Sequence, residues 1–444
     1  MLAEVPTSLA SLLSLFRPCF TQPSFQTFCT LTVGLLTRVR ARTVTGMLVA
    51  SGRAGEWHHS RAHRFFSRSR WSCDRLGLIC LELVVKRLVA ADRQLCLVID
   101  DTLLKRCGPK VFGRCLNYDG ASQSAGHPAG RVAWGNSWVV AGVLVELPFL
   151  GRPVCLPVLF RLWRPRQGPT QVELAAELVR LVALRYPKRR LVVLADGAYA
   201  GKALAPAGLA ENVCLVLRAR RDIRLVEPAA PRRPGQMGRP RLKGERLPAL
   251  RERAAAADTR WRRAQVERYG QRETVELICQ RGLWWSVWRA APVKLVALRD
   301  RRAADQIDAI LISSDPELSA ERIVELYARR WAIEVAFRDS KQLVGVGEAE
   351  NRTRQAVERT APFGFLCLTL AIVWYALSGH APGDVAERRR RSPWYRTKRE
   401  PSVEDMLVKL RRSIIAARFS TAMGPEAKRS KVGALAEAWE MAAG

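Results

Sequence analysis

The stretch YARRWAIEVAFRDSK, Tyr327 to Lys341, is the one from which the rest of the chain is read. It contains neither Pro nor Gly, and Ser319, just ahead of AERIVEL, is a suitable N-cap. Position 322 is Arg322, so no capping box reinforces that start. On one helix at 100° per residue, Tyr327, Arg330, Glu334 and Lys341 fall at about 0°, 300°, 340° and 320°, a polar stripe roughly 60° wide. Leu326, Ile333, Phe337 and Val344 flank it on one side, and Val324, Trp331 and Val335 on the other. A carboxylate inside an apolar face needs a partner, because burying a lone charge is costly. An internal Arg330–Glu334 pair at i,i+4 would supply one, with the tyrosine packed by its ring. A functional acid held inward is the other reading.

The 444 residues suffice for two or three domains, and 48% hydrophobic residues allow a sizeable core. Lys and Arg number 73 against 41 Asp and Glu, a net charge of +32, which points to a polyanionic partner such as nucleic acid. A general arginine bias would raise Arg without leaving acids so outnumbered. The eleven Cys are scattered, with no CxxC pair, so neither a zinc site nor a disulfide framework is indicated. No basic stretch leads into a long apolar run at the N-terminus, which argues against a secretory signal. The most apolar run, Pro362 to Leu377, is short for a membrane span and reads as a buried core helix. A soluble, cytoplasmic protein is expected.

Working outward, residues 1–90 read as helical, with helix-spaced apolar residues in SLASLLSLF and RLGLICLELVVKRLVA. Within them Arg61, Arg64, Arg68 and Arg70 interleave with Phe65, Phe66 and Trp71, a pattern open to phosphate contact or to a solvated basic face. His58, His59 and His63 lack a Cys or acidic partner at metal-ligand spacing. The run LCLVI at 95–99 reads as a buried strand delivering Asp100 and Asp101 at its end. Asp as a mere turn residue is the bland alternative. Residues 105–137, rich in Gly, Asn and Ser, read as a long loop, followed by strands at Trp138–Leu147 and Val154–Leu162. A helix over Gln171–Tyr186 leads to LVVLA at 191–195, a second strand with a carboxylate, Asp196, at its end. This order predicts an α/β fold on a mixed sheet, whose first part spans 91–218.

From Arg218 to Arg253, 12 Lys and Arg face 4 acids, and the Pro/Gly-rich centre reads as an exposed basic loop, open to DNA contact or to a solvated linker. Residues 273–299 alternate like paired strands, so 219–307 read as a basic, β-rich insertion. A core strand AILIS returns at 309–313, and 308–380 completes the core with the opening helix. The tail 381–444 begins with seven basic residues and one acid between Glu387 and Arg399, read as a flexible phosphate-binding arm or a solubilising run, then a helix over Val403–Arg412. No P-loop, dinucleotide fingerprint or nucleophile elbow occurs. Two strand-end Asp and one helical Glu make a plausible set of hard oxygen ligands for Mg²⁺ or Mn²⁺.

At these residues the chain resembles the DDE transposases of bacterial insertion sequences, in the class whose third carboxylate lies in a Tyr-x2-Arg-x3-Glu-x6-Lys motif. Tyr327, Arg330, Glu334 and Lys341 match all four positions, and IDDT at 99–102 and DGAY at 196–199 match the segments around the two Asp. Gly345, Asn351 and Arg352 also fit, and the resemblance covers about 50–420. It implies a ribonuclease-H-like core flanked by helices, with a β-rich insertion and a helical N-terminal DNA-binding domain. It implies Mg²⁺ or Mn²⁺, two ions, held by Asp100, Asp196 and Glu334. Asp101 is the alternative ligand, but by analogy with Asp-Gly-Thr versions it takes the glycine's place. Tyr327, Arg330 and Lys341 would hold phosphates. Of Trp284, Trp285 and Trp288, one would stack on a flipped base in a hairpin intermediate, the others being buried β-face aromatics. The implied activity is cut-and-paste transposition, with double-stranded DNA as partner, a homodimer in the synaptic complex, no membrane, and a nucleoid-associated place in a bacterial cytoplasm.

Overall fold

The computed structural model describes residues 4–119, 132–232, 234, 237–256, 258–300 and 307–422. At its centre is β1, Leu95–Lys105, whose first five residues are buried because the strand is covered on both faces. To one side β1 pairs antiparallel with β3, Val132–Val145. β3 in turn pairs along its outer edge with β2, Cys115–Tyr118, and β4, Val154–Trp163. To the other side β1 pairs parallel with β5, Leu191–Ala195, and β5 with β6, Val213–Ala219. The order β4-β3-β1-β5-β6, two antiparallel strands and then parallel neighbours of β1, is that of a ribonuclease-H-like core.

The sheet does not stop there. Antiparallel to β6 lies β10, Ala309–Ser313, followed by β9, Pro292–Asp300, β8, Gln271–Leu283, and β7, Arg262–Arg268. The strands expected at 273–299 are β8 and β9, and they extend the core sheet itself. Two expectations are corrected. Residues 105–137 are not one long loop, since β1 runs on to Lys105 and meets β2 and the start of β3. Charge in RRAQVER also concealed β7.

Helices cover the sheet: α6, Gln171–Arg185, lies on β3 and β4, while α5, Cys73–Leu88, and α10, Arg354–Trp374, pack on β4. A bulge in the β3–β4 ladder skips Val158. Gly77 of α5 faces the Val158 carbonyl so closely that a Cβ there would stand 2.2 Å from it. Thr369 of α10 donates to the neighbouring Pro157 carbonyl at 2.8 Å. Pro157 itself sits in an edge strand, where a missing N–H is tolerated.

The helical N-terminal region is α1, Thr7–Ser14, α2, Gln22–Thr37, α3, Val44–Ala50, α4, Ser60–Ser67, and α5. Its apolar faces are not a separate core. Phe28 of α2 and Phe65 and Phe66 of α4 surround Phe363 of α10 at ring distances of 5.3–6.2 Å. Arg359 of α10 donates to the carbonyls of Phe66, Ser69 and Trp71. Among the described residues α10 with its last turn is the one helix long and apolar enough to cross a membrane, and it is buried in the core. The basic run after 387 is not a free arm. It forms α11, Asp384–Arg391, and a loop, and Arg388 of the helix and Lys398 of the loop both pair with Asp405. The closing helix α12 runs from Val403 to Ala422, ten residues past its expected end. The remainder of the 381–444 tail, from 423 on, lies outside the described residues.

Candidate active site

Ile99 of β1 pairs with Ala195 of β5, so the next residues, Asp100 and Asp196, emerge side by side where that parallel pairing ends; Asp196 follows the end of β5 as expected, whereas Asp100 lies within β1, which runs on to Lys105. Alternation then separates the two adjacent acids. Asp100 lies across from Val140 and Asp101 from Val139, on opposite faces of the sheet. On its face Asp101 accepts a hydrogen bond from the Tyr199 hydroxyl at 3.2 Å. Asp100 instead meets the opening stretch.

That stretch is not one uninterrupted helix. α8, Ala320–Arg329, is capped by Ser319, whose hydroxyl accepts from the Arg322 N–H, and α9 spans Ala332–Leu343. At the joint the backbone stays right-handed, but the N–H groups of Arg330, Trp331, Ile333 and Glu334 bond three residues back. This 3₁₀-type tightening turns α9 relative to the expected wheel. Trp331, placed on an apolar flank by the wheel, is 52% exposed. α9 ends at Gly345, whose φ of +69° suits glycine, and the Val346 N–H bonds back to the Ser340 carbonyl.

The turn aims Arg330 at the sheet. Its Nη1 lies 2.6 Å from Asp100 Oδ2 and its Nη2 2.7 Å from Glu334 Oε1. The i,i+4 pair expected from sequence is therefore present, but the guanidinium spans it and an aspartate of β1. One turn earlier the Tyr327 hydroxyl donates to Asp196 Oδ1 at 3.1 Å. Tyr327 and Arg330 thus tie the end of β5 and the middle of β1 to the helix pair. Lys341 is not in this cluster. Burial lowers its pKa, and its charged neighbours are Asp119 and Lys105.

Electrostatically the site is short of positive charge. Burial pushes Asp100 up to about 7 against the pull of Arg330, and the carboxylates of Asp101 and Glu334 raise it further. Asp101 is also raised, chiefly by burial. The Tyr327 phenol is pushed up to about 12, so it stays a donor at neutral pH. Among the described residues no three His, Cys, Asp or Glu side chains form a ready metal cluster, and the Arg330 guanidinium stands between Asp100 and Glu334. The donor set still fits a hard divalent cation, being all carboxylate oxygen, and the raised pKa of Asp100 is one that added positive charge would lower.

The tryptophans separate. Trp284 and Trp288 are buried against each other at 5.4 Å, and Trp288 donates to the Gly201 carbonyl. Trp284 therefore offers no free ring face, whereas Trp285 is half-buried with Lys243 near its ring. Sequence reasoning missed Tyr199 as a partner of Asp101. It also missed Arg106, whose guanidinium is bound by the Gly347 and Ala349 carbonyls and Asn351 Oδ1, fixing the loop after α9 to β1. No local signal marks either, since both depend on strand pairing.

A ribonuclease-H-like sheet with acids within β1, at the end of β5 and on a later helix is the architecture of a carboxylate-dependent nuclease. The family described as DDE superfamily endonuclease matches residues 15–276, more than half of the chain, and the protein belongs to it. That match includes Asp100, Asp101 and Asp196 and ends before the helix pair that carries Glu334. No curated protein matches the chain.

Proposed function

We propose that this endonuclease is a transposase. It would cut DNA at the ends of an insertion sequence and join the freed 3′-OH to target DNA. The observation that carries the reading is the single Arg330 guanidinium joining Asp100 to Glu334, with Asp196 on the adjacent strand tied to the same helix pair through Tyr327. Asp100, Asp196 and Glu334 would hold Mg²⁺ or Mn²⁺, two ions. Bound there, such ions polarise the scissile phosphate and activate the attacking oxygen. Asp101 faces away from Arg330 and orients the strand end through Tyr199. Arg330 and Tyr327 line the cluster and would meet the phosphate beside it. Lys341, two turns further along α9, would hold the backbone beyond.

The basic N-terminal helices fit duplex DNA. Phe65, Phe66 and Trp71 are buried, while Arg64, Arg68 and Arg70 are exposed. Region 1–90 is accordingly proposed as a DNA-binding part, 219–307 as an insertion extending the core sheet, and 381–444 as a basic tail. Of Trp284, Trp285 and Trp288, only Trp285 keeps a surface for DNA. A homodimer in the synaptic complex and a nucleoid-associated cytoplasmic setting complete the proposal. A nuclease without strand transfer, or a DNA-binding protein that has lost activity, are the competing readings.

Nicking of supercoiled plasmid with Mn²⁺ or Mg²⁺, followed by joining of a pre-cut duplex end to plasmid, separates the three. Nicking with joining supports transposition, nicking alone supports the plain nuclease, and binding alone the inactive protein.

A further inference from the structure

Beyond the carboxylates, β1 continues to Lys105 and the sheet projects as a two-stranded ribbon of β2 and the first residues of β3. Leu116 pairs with Trp134, and Tyr118 with Val132. Cross-strand partners share a face, so these four side chains form one apolar patch. They are 49–66% exposed. Counting in twos along β3, Val132 and Trp134 lie on the face of Val140, which is directly across from Asp100. The patch therefore shares the active-site face. Lys105 is opposite Gly135, and at ~3.3 Å per residue the patch begins roughly 17–20 Å from Asp100.

Four large exposed apolar side chains on a ribbon need an occupant. The surroundings decide which. From Thr102 to Tyr118 the chain carries Lys105, Arg106, Lys110 and Arg114 and no acid. Arg114 lies 4.2 Å over the Trp134 ring, and Arg354 lies 5.6 Å from the neighbouring Phe112 ring. A second copy of a chain with net charge +32 would bring like charge to this rim. A nucleic acid brings phosphates to the cations and base faces to the rings.

Resting on the nuclease reading above, we propose that Trp134 and Tyr118 form a stacking platform for unpaired bases of the DNA strand that leaves the active site. At about 3.4 Å per nucleotide the platform sits roughly five nucleotides from the reacting phosphate. Leu116 and Val132 wall the bases, and Lys110 and Arg114 hold the backbone. The ribbon supplies ring faces that Trp284 and Trp288 of the insertion do not, since both are buried.

The test uses the full chain and two fluorescent DNAs without metal, a fully paired 30-mer duplex and the same duplex with a ten-nucleotide single-stranded tail. The wild type binds the tailed duplex roughly tenfold more tightly, and Trp134→Ala/Tyr118→Ala loses that preference while binding the paired duplex as before. Trp134→Phe/Tyr118→Phe keeps it, which separates stacking from folding. Equal wild-type affinity for the two DNAs, or an alanine variant that keeps the preference, overturns the proposal. So does a concentration-dependent dimer that the alanine variant alone dissociates, with the DNA preference unchanged. Plasmid nicking by the wild type without tail preference would sink the platform and spare the nuclease. Tail preference without nicking in any metal would do the reverse.

Discussion

Arg330 Nη1 lies 2.6 Å from Asp100 Oδ2, joining a residue at the turn between two helices to the middle of β1. The same guanidinium reaches Glu334, so one cation spans two acids proposed to bind metal. Added positive charge at the acids must compete with it. Arg330→Ala is therefore expected to bind Mn²⁺ at least about tenfold more tightly in calorimetric titration without DNA. Its cleavage should nonetheless fall, because the phosphate loses a contact. Unchanged or weaker Mn²⁺ binding would show that Arg330 does not compete at the site.

Asp100 gives a pH-dependent stability. Its carboxyl is pushed from an ordinary 3.8 to about 7, mainly by burial. A carboxyl raised on folding stabilises the fold only while protonated. That contribution is whole below about pH 4 and is lost as pH rises through about 7. Asp100→Asn is permanently neutral and escapes the loss. Its stability should match the wild type at or below about pH 4 and exceed it at pH 8, by on the order of a few kcal/mol, with a correspondingly higher melting temperature. A gap that does not widen with pH would contradict the burial argument.

Gly77 tests the seating of the N-terminal helices on the sheet. A Cβ at this position would stand 2.2 Å from the Val158 carbonyl, which is fixed by the bulge. Gly77→Ala should lower the unfolding free energy by about 1–3 kcal/mol or more, seen as a lower urea midpoint with m unchanged. A neutral result would mean that α5 can lift from β4 freely.

The charge of +32 should make DNA binding steeply salt-dependent. A plot of log affinity against log salt for a random duplex is expected to have a slope steeper than about −3. A flat plot would remove phosphate contacts from the account.

The parts of this fold that could be read in advance are those whose signal is local. LVVLA and LCLVI are strands buried on both faces, so unbroken apolar runs ending in Asp mark them. Ser319 capped its helix as expected because the cap is a property of four consecutive residues. β7 was hidden because RRAQVER buries only Ala264 and Val266. The turn at Arg330 was hidden because both joint residues keep right-handed dihedrals and no Pro or Gly announces it. The division of labour between Asp100 and Asp101 depends on register with β3 and on Tyr199, and neither is a local property. Lys341 kept its motif spacing but has Asp119 and Lys105 as its charged neighbours, because seven residues along α9 carry it two turns beyond Glu334 on the same face.

The most direct test is metal-dependent plasmid nicking by the wild type, Asp196→Asn and Glu334→Gln, run beside binding of a random duplex. Nicking should require Mg²⁺ or Mn²⁺ and fall on the order of a thousandfold in either variant, with duplex affinity within about twofold of the wild type. Wild-type nicking in excess chelator, or full nicking by either variant, would contradict the assignment of these carboxylates to the reaction.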